Sequence, residues 1–228
     1  MPVKLTTVRG ALSRNGVKIL VHGKAGIGKT RLCATMPATV VLSAEAGLLS
    51  LAKVAPNLPV IPIASMDDLN EAYAWAESSD EAKRFQSISL DSITDIAEAM
   101  LATCKKATKE PRKAYGEVQD NMMETMRLFR DLPGKHVYFS AKTELREVDE
   151  GLTRYLPSFP GKKLGPAAPY LFDEVFYYTF LEHEGKEYRV LRTQPDFQTE
   201  AKDRSGALSE IEEPDLGKLI QKIQSHAK

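Results

Sequence analysis

Gly23-Lys24-Ala25-Gly26-Ile27-Gly28-Lys29-Thr30 fits the P-loop pattern Gly-x4-Gly-Lys-Ser/Thr, and the apolar run Val17-Lys18-Ile19-Leu20-Val21 before it supplies the strand such a loop requires. The pattern predicts a nucleoside triphosphate site. Glycines let backbone N–H groups turn inward around phosphates, Lys29 reaches the β- and γ-phosphates, and the Thr30 hydroxyl ligates Mg²⁺. A helix opening near Gly28 brings its positive end to the same place. The expected nucleotide-contacting segment is thus Gly23, Lys24, Ala25, Gly26, Ile27, Gly28, Lys29, Thr30 and Arg31.

Outward from the loop, Thr39 to Ser43, Val60 to Ile63, Phe85 to Leu90 and Val137 to Ser140 read as buried strands. Helical patterns fall at Met66 to Ser78, Ile93 to Lys106 and Tyr115 to Leu132. Strands alternating with helices predict an α/β fold with a mainly parallel sheet. Asp173 to Leu181 and Tyr188 to Arg192, around Glu184-Gly185-Lys186, add an antiparallel hairpin to one side of it. Pro214 suits the first turn of a closing helix, 214–228, whose apolar face is Leu216, Leu219, Ile220 and Ile223. Residues 142–169, rich in Gly, Pro and Lys, are expected to form a long functional or mobile loop.

The chain has 228 residues and 43% hydrophobic content, which suits a single domain over 1–228 with a short N-terminal segment, 1–14. Lys plus Arg and Asp plus Glu number 31 each, so any attraction for nucleic acid must come from local segregation of charge. Met1 to Gly10 lacks the apolar core of a signal peptide, and no run reaches the ~18 apolar residues of a membrane span. A cytoplasmic protein with no membrane partner is expected. Cys33 and Cys104 lack CxxC spacing and the His residues are scattered, which gives zinc or disulfide chemistry little support.

Ile88-Ser89-Leu90-Asp91 has the strand-then-carboxylate form of a Walker B element, in which Asp91 holds the Mg²⁺ shell at the end of a strand beside the P-loop strand. The plain alternative is a helix N-cap by Asp91 or Ser92. Hydrolysis also needs a base that orients water in line with the γ-phosphate. Many ring ATPases place a Glu directly after the Walker B Asp, but that neighbour here is Ser92. The strand after the P-loop helix instead ends in Ser43-Ala44-Glu45-Ala46-Gly47-Leu48. This resembles the RecA family, whose catalytic Glu lies at the end of that strand, and makes Glu45 the candidate base; the alternative is a surface Glu capping the next helix. Lys202-Asp203-Arg204 resembles the Lys-x-Arg element of RecA-like hexameric helicases of the DnaB type. There the cations reach the γ-phosphate held by the neighbouring subunit, which would make the active form an oligomer. A charged turn is the alternative. The strand Val137 to Ser140 departs from the RecA pattern, since no Gln or His follows to sense the γ-phosphate; Ser140, Lys142 and Thr143 are the candidates.

Taken together, GKAGIGKT, SAEAGL, ISLDSITDI, the Lys/Arg-rich segment ending in Ala114-Tyr115-Gly116, and AKDRSG resemble a phage-associated family of small AAA/RecA-like ATPases. Its best-understood members are Sak-type, core-only RecA-like recombination proteins. The resemblance implies a RecA-like P-loop fold, ATP and Mg²⁺ as cofactors, and ATP hydrolysis stimulated by single-stranded DNA. It also implies annealing or strand pairing, a homo-oligomeric ring or filament, and a single-strand-binding protein as partner.

Two segments are candidates for DNA contact. Lys105, Lys106, Lys109, Arg112 and Lys113 fall within nine residues, followed by Tyr115, a pattern able to track phosphates and stack a base; a solvated helix end is the alternative. The second is Arg154, Tyr155, Phe159, Lys162 and Lys163, for which a packed connection is the alternative. Two other functions fit a P-loop: a nucleotide-switched, helicase-loader-like module and a small-molecule kinase. The kinase lacks an Arg-rich lid in this sequence.

Overall fold

The strand expected before the glycine loop is β1 (Lys18–Gly23), buried at every residue. It pairs in parallel with β5 (His136–Asp149) on one side and β7 (Glu174–His183) on the other. Beyond β5 lie β4 (Ser87–Asp91), β2 (Thr39–Ser43) and β3 (Val60–Pro62), all parallel. Beyond β7 the pairing turns antiparallel, first to β8 (Lys186–Arg192) and the short β9 (Lys202–Asp203), then from β8 to β10 (Ile211–Glu212). The mainly parallel sheet and its antiparallel C-terminal hairpin are as expected. The computed structural model describes residues 5–7, 10, 15–45 and 47–226. Most of the expected N-terminal segment 1–14, and Ala46, lie outside them.

Both faces of the sheet are covered, which is why its strands read as continuous apolar runs. On one face α2 (Met66–Ser78), α3 (Ile93–Ala107) and α4 (Pro111–Arg130) bury Leu20, Leu42, Ile88, Leu90 and Phe139. On the other, α1 (Lys29–Cys33) and α6 (Leu216–His226) bury Ile19, Val21, Val41, Tyr138 and Phe176. Leu216, Leu219, Ile220 and Ile223 all dock there, and so does Cys33, a packing residue. Each fully buried side chain of this size contributes ~1.5–3 kcal/mol, enough to hold the strand ends that carry the polar residues below.

Three expectations are corrected. The Walker B strand is not beside the P-loop strand, because β5 lies between β1 and β4 and pairs with both. Residues 142–169 are not one long loop. β5 continues to Asp149 and folds back as β6 (Leu152–Pro157), turning at Gly151 with φ of 76°, and α5 (Leu164–Ala167) follows. Finally, α4 begins at Pro111 rather than Tyr115, because proline suits a first helical position whose N–H has no partner.

Candidate nucleotide site

The P-loop closes the space between β1 and α1 with two residues in the left-handed region, Gly26 at φ 75° and Gly28 at φ 116°. The φ of Gly28 requires glycine, and a Cβ there would also crowd the Tyr178 hydroxyl at 3.2 Å. Lys29 arches back over the loop and donates from Nζ to the carbonyls of Gly23 (2.8 Å) and Lys24 (3.1 Å). Burial pulls its pKa below the usual lysine range, while Asp91, Glu45 and Asp95 pull the other way. α1 spans only five residues, so the positive potential comes from loop N–H groups rather than from a long helix. The Tyr138 hydroxyl donates to the Lys29 carbonyl at 2.9 Å and pins that short helix to β5.

Asp91 ends β4 at 2% exposure, and the Ser140 hydroxyl of β5 donates to its Oδ1. Capping of α3 falls to Ser92, whose Oγ accepts from the Asp95 N–H at 3.3 Å. Asp91 is therefore not spent on the helix. Its carboxylate and the Thr30 hydroxyl line the same cleft, and hard oxygen donors of this kind fit Mg²⁺. Among the described residues no group of three or more His, Cys, Asp or Glu is arranged to hold a metal by itself. One carboxylate and one hydroxyl suit a magnesium ion that takes its remaining ligands from water and phosphate. There the ion would neutralise charge on the phosphoryl group.

Glu45 follows β2 as expected and lines the cleft beside Asp91 and Asp95. Burial first, then a hydrogen bond shared with Asp95 and the charges of Asp91 and Asp95, push its pKa up to about 7. Asp95 moves the opposite way: burial would raise it, but hydrogen bonds from Glu45, Lys142 and Ser92 outweigh that and hold it low. Lys142 Nζ is 2.8 Å from both Asp95 and Glu98. Of the three sensor candidates, Ser140 is thus committed to Asp91. Thr143 contacts His22 Nδ1 at 3.0 Å, while Lys142 lines the cleft. Burial lowers the His22 pKa to about 4, so it serves as a neutral polar link behind the loop.

A family model described as an AAA domain matches residues 15–205. The chain belongs to this family. As an AAA domain with a P-loop it is a nucleotide-binding ATPase, and ATP with Mg²⁺ is the general cofactor pair of such P-loop ATPases. Among solved structures it is similar to a KaiC-like protein of the hyperthermophilic archaeon Pyrococcus horikoshii OT3. The TM-score is 0.45 at 14% identity, over 78% of this chain and 77% of that one. No curated protein matches the chain.

The remaining expected residues of this AAA domain fall elsewhere. Lys202 and Arg204 lie on and after β9, which pairs with the start of β7, at the opposite end of the parallel strands from the P-loop. Lys202 donates to the Pro169 carbonyl at 2.7 Å and Arg204 pairs with Asp173 at 2.9 Å. The fold does not bring them to their own P-loop. The two basic segments, by contrast, are brought together. Tyr115 lies against Gly161, where a Cβ would stand 3.4 Å from its ring, and Lys105 Nζ sits 5.1 Å from the Tyr115 ring centroid. Lys105, Lys106, Lys109, Arg112, Lys113, Lys162 and Lys163 are all exposed. Phe159 is not, being buried in the core at 4%. Arg154 faces Glu200 at 3.8 Å. Tyr155 stacks on Tyr177 (5.2 Å), with Lys24 Nζ 5.7 Å from its centroid, so it braces the P-loop and is not offered to a ligand.

Sequence reasoning missed Asp95, Tyr138 and the cleft wall formed by Tyr178, Phe180 and Arg189. Only Asp95 carried a local signal: Ser92-x-x-Asp95 is a helix-start pattern. The rest depend on which strands become neighbours.

Proposed function

We propose that the chain is an ATP-dependent, single-stranded-DNA-binding recombination protein of the core-only RecA-like kind, acting by annealing or strand pairing as an oligomer. The observation that carries this reading is the meeting of the two basic segments at a partly exposed Tyr115, which lies beside Lys105 and Gly161 while all seven cations of the segments are exposed. Helix stability does not account for it. Lys105 and Lys106 end α3, where cations suit the helix dipole, but Arg112 and Lys113 occupy the first turn of α4, which contains no acidic residue. Cations there cost about 0.3–1 kcal/mol each. A phosphate backbone would offset that cost, and Tyr115 would offer one base a stacking face.

In this reading Lys29 and the loop N–H groups bind the triphosphate, Asp91 and Thr30 hold the metal, and Glu45 accepts the proton of the attacking water. The deciding experiment is ATP turnover with and without single-stranded DNA, on the parent and on Lys29→Ala. DNA-stimulated turnover that disappears in Lys29→Ala supports the reading. Turnover indifferent to DNA, with no DNA binding in the presence of ATP, refutes the recombination role and favours a nucleotide-switched module.

A further inference from the structure

The cleft does not stop at the glycine loop. It continues past Arg31 of α1 and Thr35 just beyond that helix to a wall formed by the β7–β8 hairpin, where Tyr178, Phe180 and Arg189 line it. Tyr178 and Phe180 are two residues apart on one strand and so point to the same face. Phe180 stands directly opposite Arg189 in the hairpin register, which places their side chains together on that face. The Arg189 guanidinium lies 5.4 Å from the Phe180 ring centroid. Tyr178 abuts Gly28 of the P-loop, and Phe180 lies about 7 Å further along the strand. That is the scale of the one sugar separating a nucleotide's base from its phosphates.

Phe180 is 47% exposed, a large aromatic left open to water in a cleft whose other end is polar. We propose that Phe180, steadied by Arg189, is the nucleobase subsite: its ring stacks on the aromatic base of the nucleoside triphosphate whose phosphates occupy the P-loop. The inference rests on the triphosphate reading of that loop. Stacking of this kind tolerates every base, so adenine and guanine nucleotides should bind comparably.

The test compares ATP with inorganic tripolyphosphate, which keeps the phosphates and lacks the base, by isothermal titration calorimetry. Phe180→Ala should weaken ATP on the order of tenfold, within the roughly 5- to 150-fold range that loss of one base stack spans, and leave tripolyphosphate affinity unchanged. Half-exposed Phe180 can be truncated without opening the core. As a second measurement, the fluorescence of Phe180→Trp should be quenched by ATP and not by tripolyphosphate; the native Trp75 packs on Phe85, on a different part of the sheet. Unchanged ATP affinity in Phe180→Ala overturns the proposal, as does a parallel loss of both ligands or an altered oligomeric state with ATP affinity intact. If the parent binds neither ligand, the triphosphate reading itself fails, an outcome distinct from the others.

Discussion

Replacing Asp95 by Asn should shift the acid limb of ATP hydrolysis to lower pH. Asp95 keeps its charge because Lys142 and Ser92 stabilise the carboxylate, and that charge, with burial, holds a proton on Glu45 up to a pKa of about 7. A general base works only when deprotonated. With a pKa near 7, about a tenth of Glu45 is in the active form at pH 6, half at pH 7 and about nine-tenths at pH 8, so turnover should drop roughly tenfold from pH 8 to pH 6. Asp95→Asn removes one negative neighbour while burial and Asp91 remain. The limb should therefore move below 7 without reaching the ordinary value of 4.5. A shift of one unit would raise turnover at pH 6 about fivefold. The assay is phosphate release at saturating ATP from pH 5.5 to 8.5, since kcat reports groups in the enzyme–substrate complex. Glu45→Gln is the control, expected to be at least ~10-fold slower and to lose the limb. A parent profile flat between pH 6 and 8, or Glu45→Gln turning over like the parent, would refute the assignment of Glu45.

Asp91→Asn should abolish Mg²⁺-dependent hydrolysis and retain part of the nucleotide binding, because only the metal-side charge is lost; an unchanged Mg²⁺ titration of activity counts against the metal role. Reversing Lys105, Lys106 and Lys109 to Glu should weaken single-stranded-DNA binding and flatten the plot of log affinity against log salt by about 2, at ~0.7 for each phosphate no longer neutralised. ATP binding should persist, and a slope that does not move would make the segment a solvated face. Arg204→Ala breaks an exposed ion pair with Asp173 worth at most ~1 kcal/mol, so the fold should survive. In the proposed oligomer turnover should be lost and partly recover on mixing Arg204→Ala with Lys29→Ala subunits, because Arg204 would complete a neighbour's phosphate site; retained turnover would make it an ordinary charged turn.

The P-loop, Asp91 and Glu45 were legible because each sits at the end of a strand buried on both faces, where an apolar run stops abruptly at polar residues. Strand order was not legible. Nothing near Val137 says that β5 inserts between β1 and β4, since sheet neighbours are chosen by packing across the whole chain. The β5–β6 hairpin is silent in the sequence because its outer half stands off the core: Leu145 and Val148 are exposed, and charges occupy both faces, so no alternation appears. Arg112 and Lys113 follow a helix end in the sequence, but Pro111 places them inside a helix start, which reverses their electrostatic meaning. Phe180 and Arg189 are separated by a turn, and only the pairing register makes them neighbours.

β5 is a single strand of fourteen residues, with a register irregularity between Glu147 and Asp149 in its pairing with β6. Its inner half is bonded edge to edge with the strand that feeds the P-loop and the strand that carries Asp91, and it sets Ser140 against Asp91 and Lys142 in the cleft. Its outer half projects beyond the sheet, where Arg146 grips the carbonyls of Gly161 and Lys162 at 3.0 and 2.8 Å, next to the exposed basic face. In the proposed function, load on that face would bear through Arg146 on the same strand whose inner half carries Lys142 in the cleft.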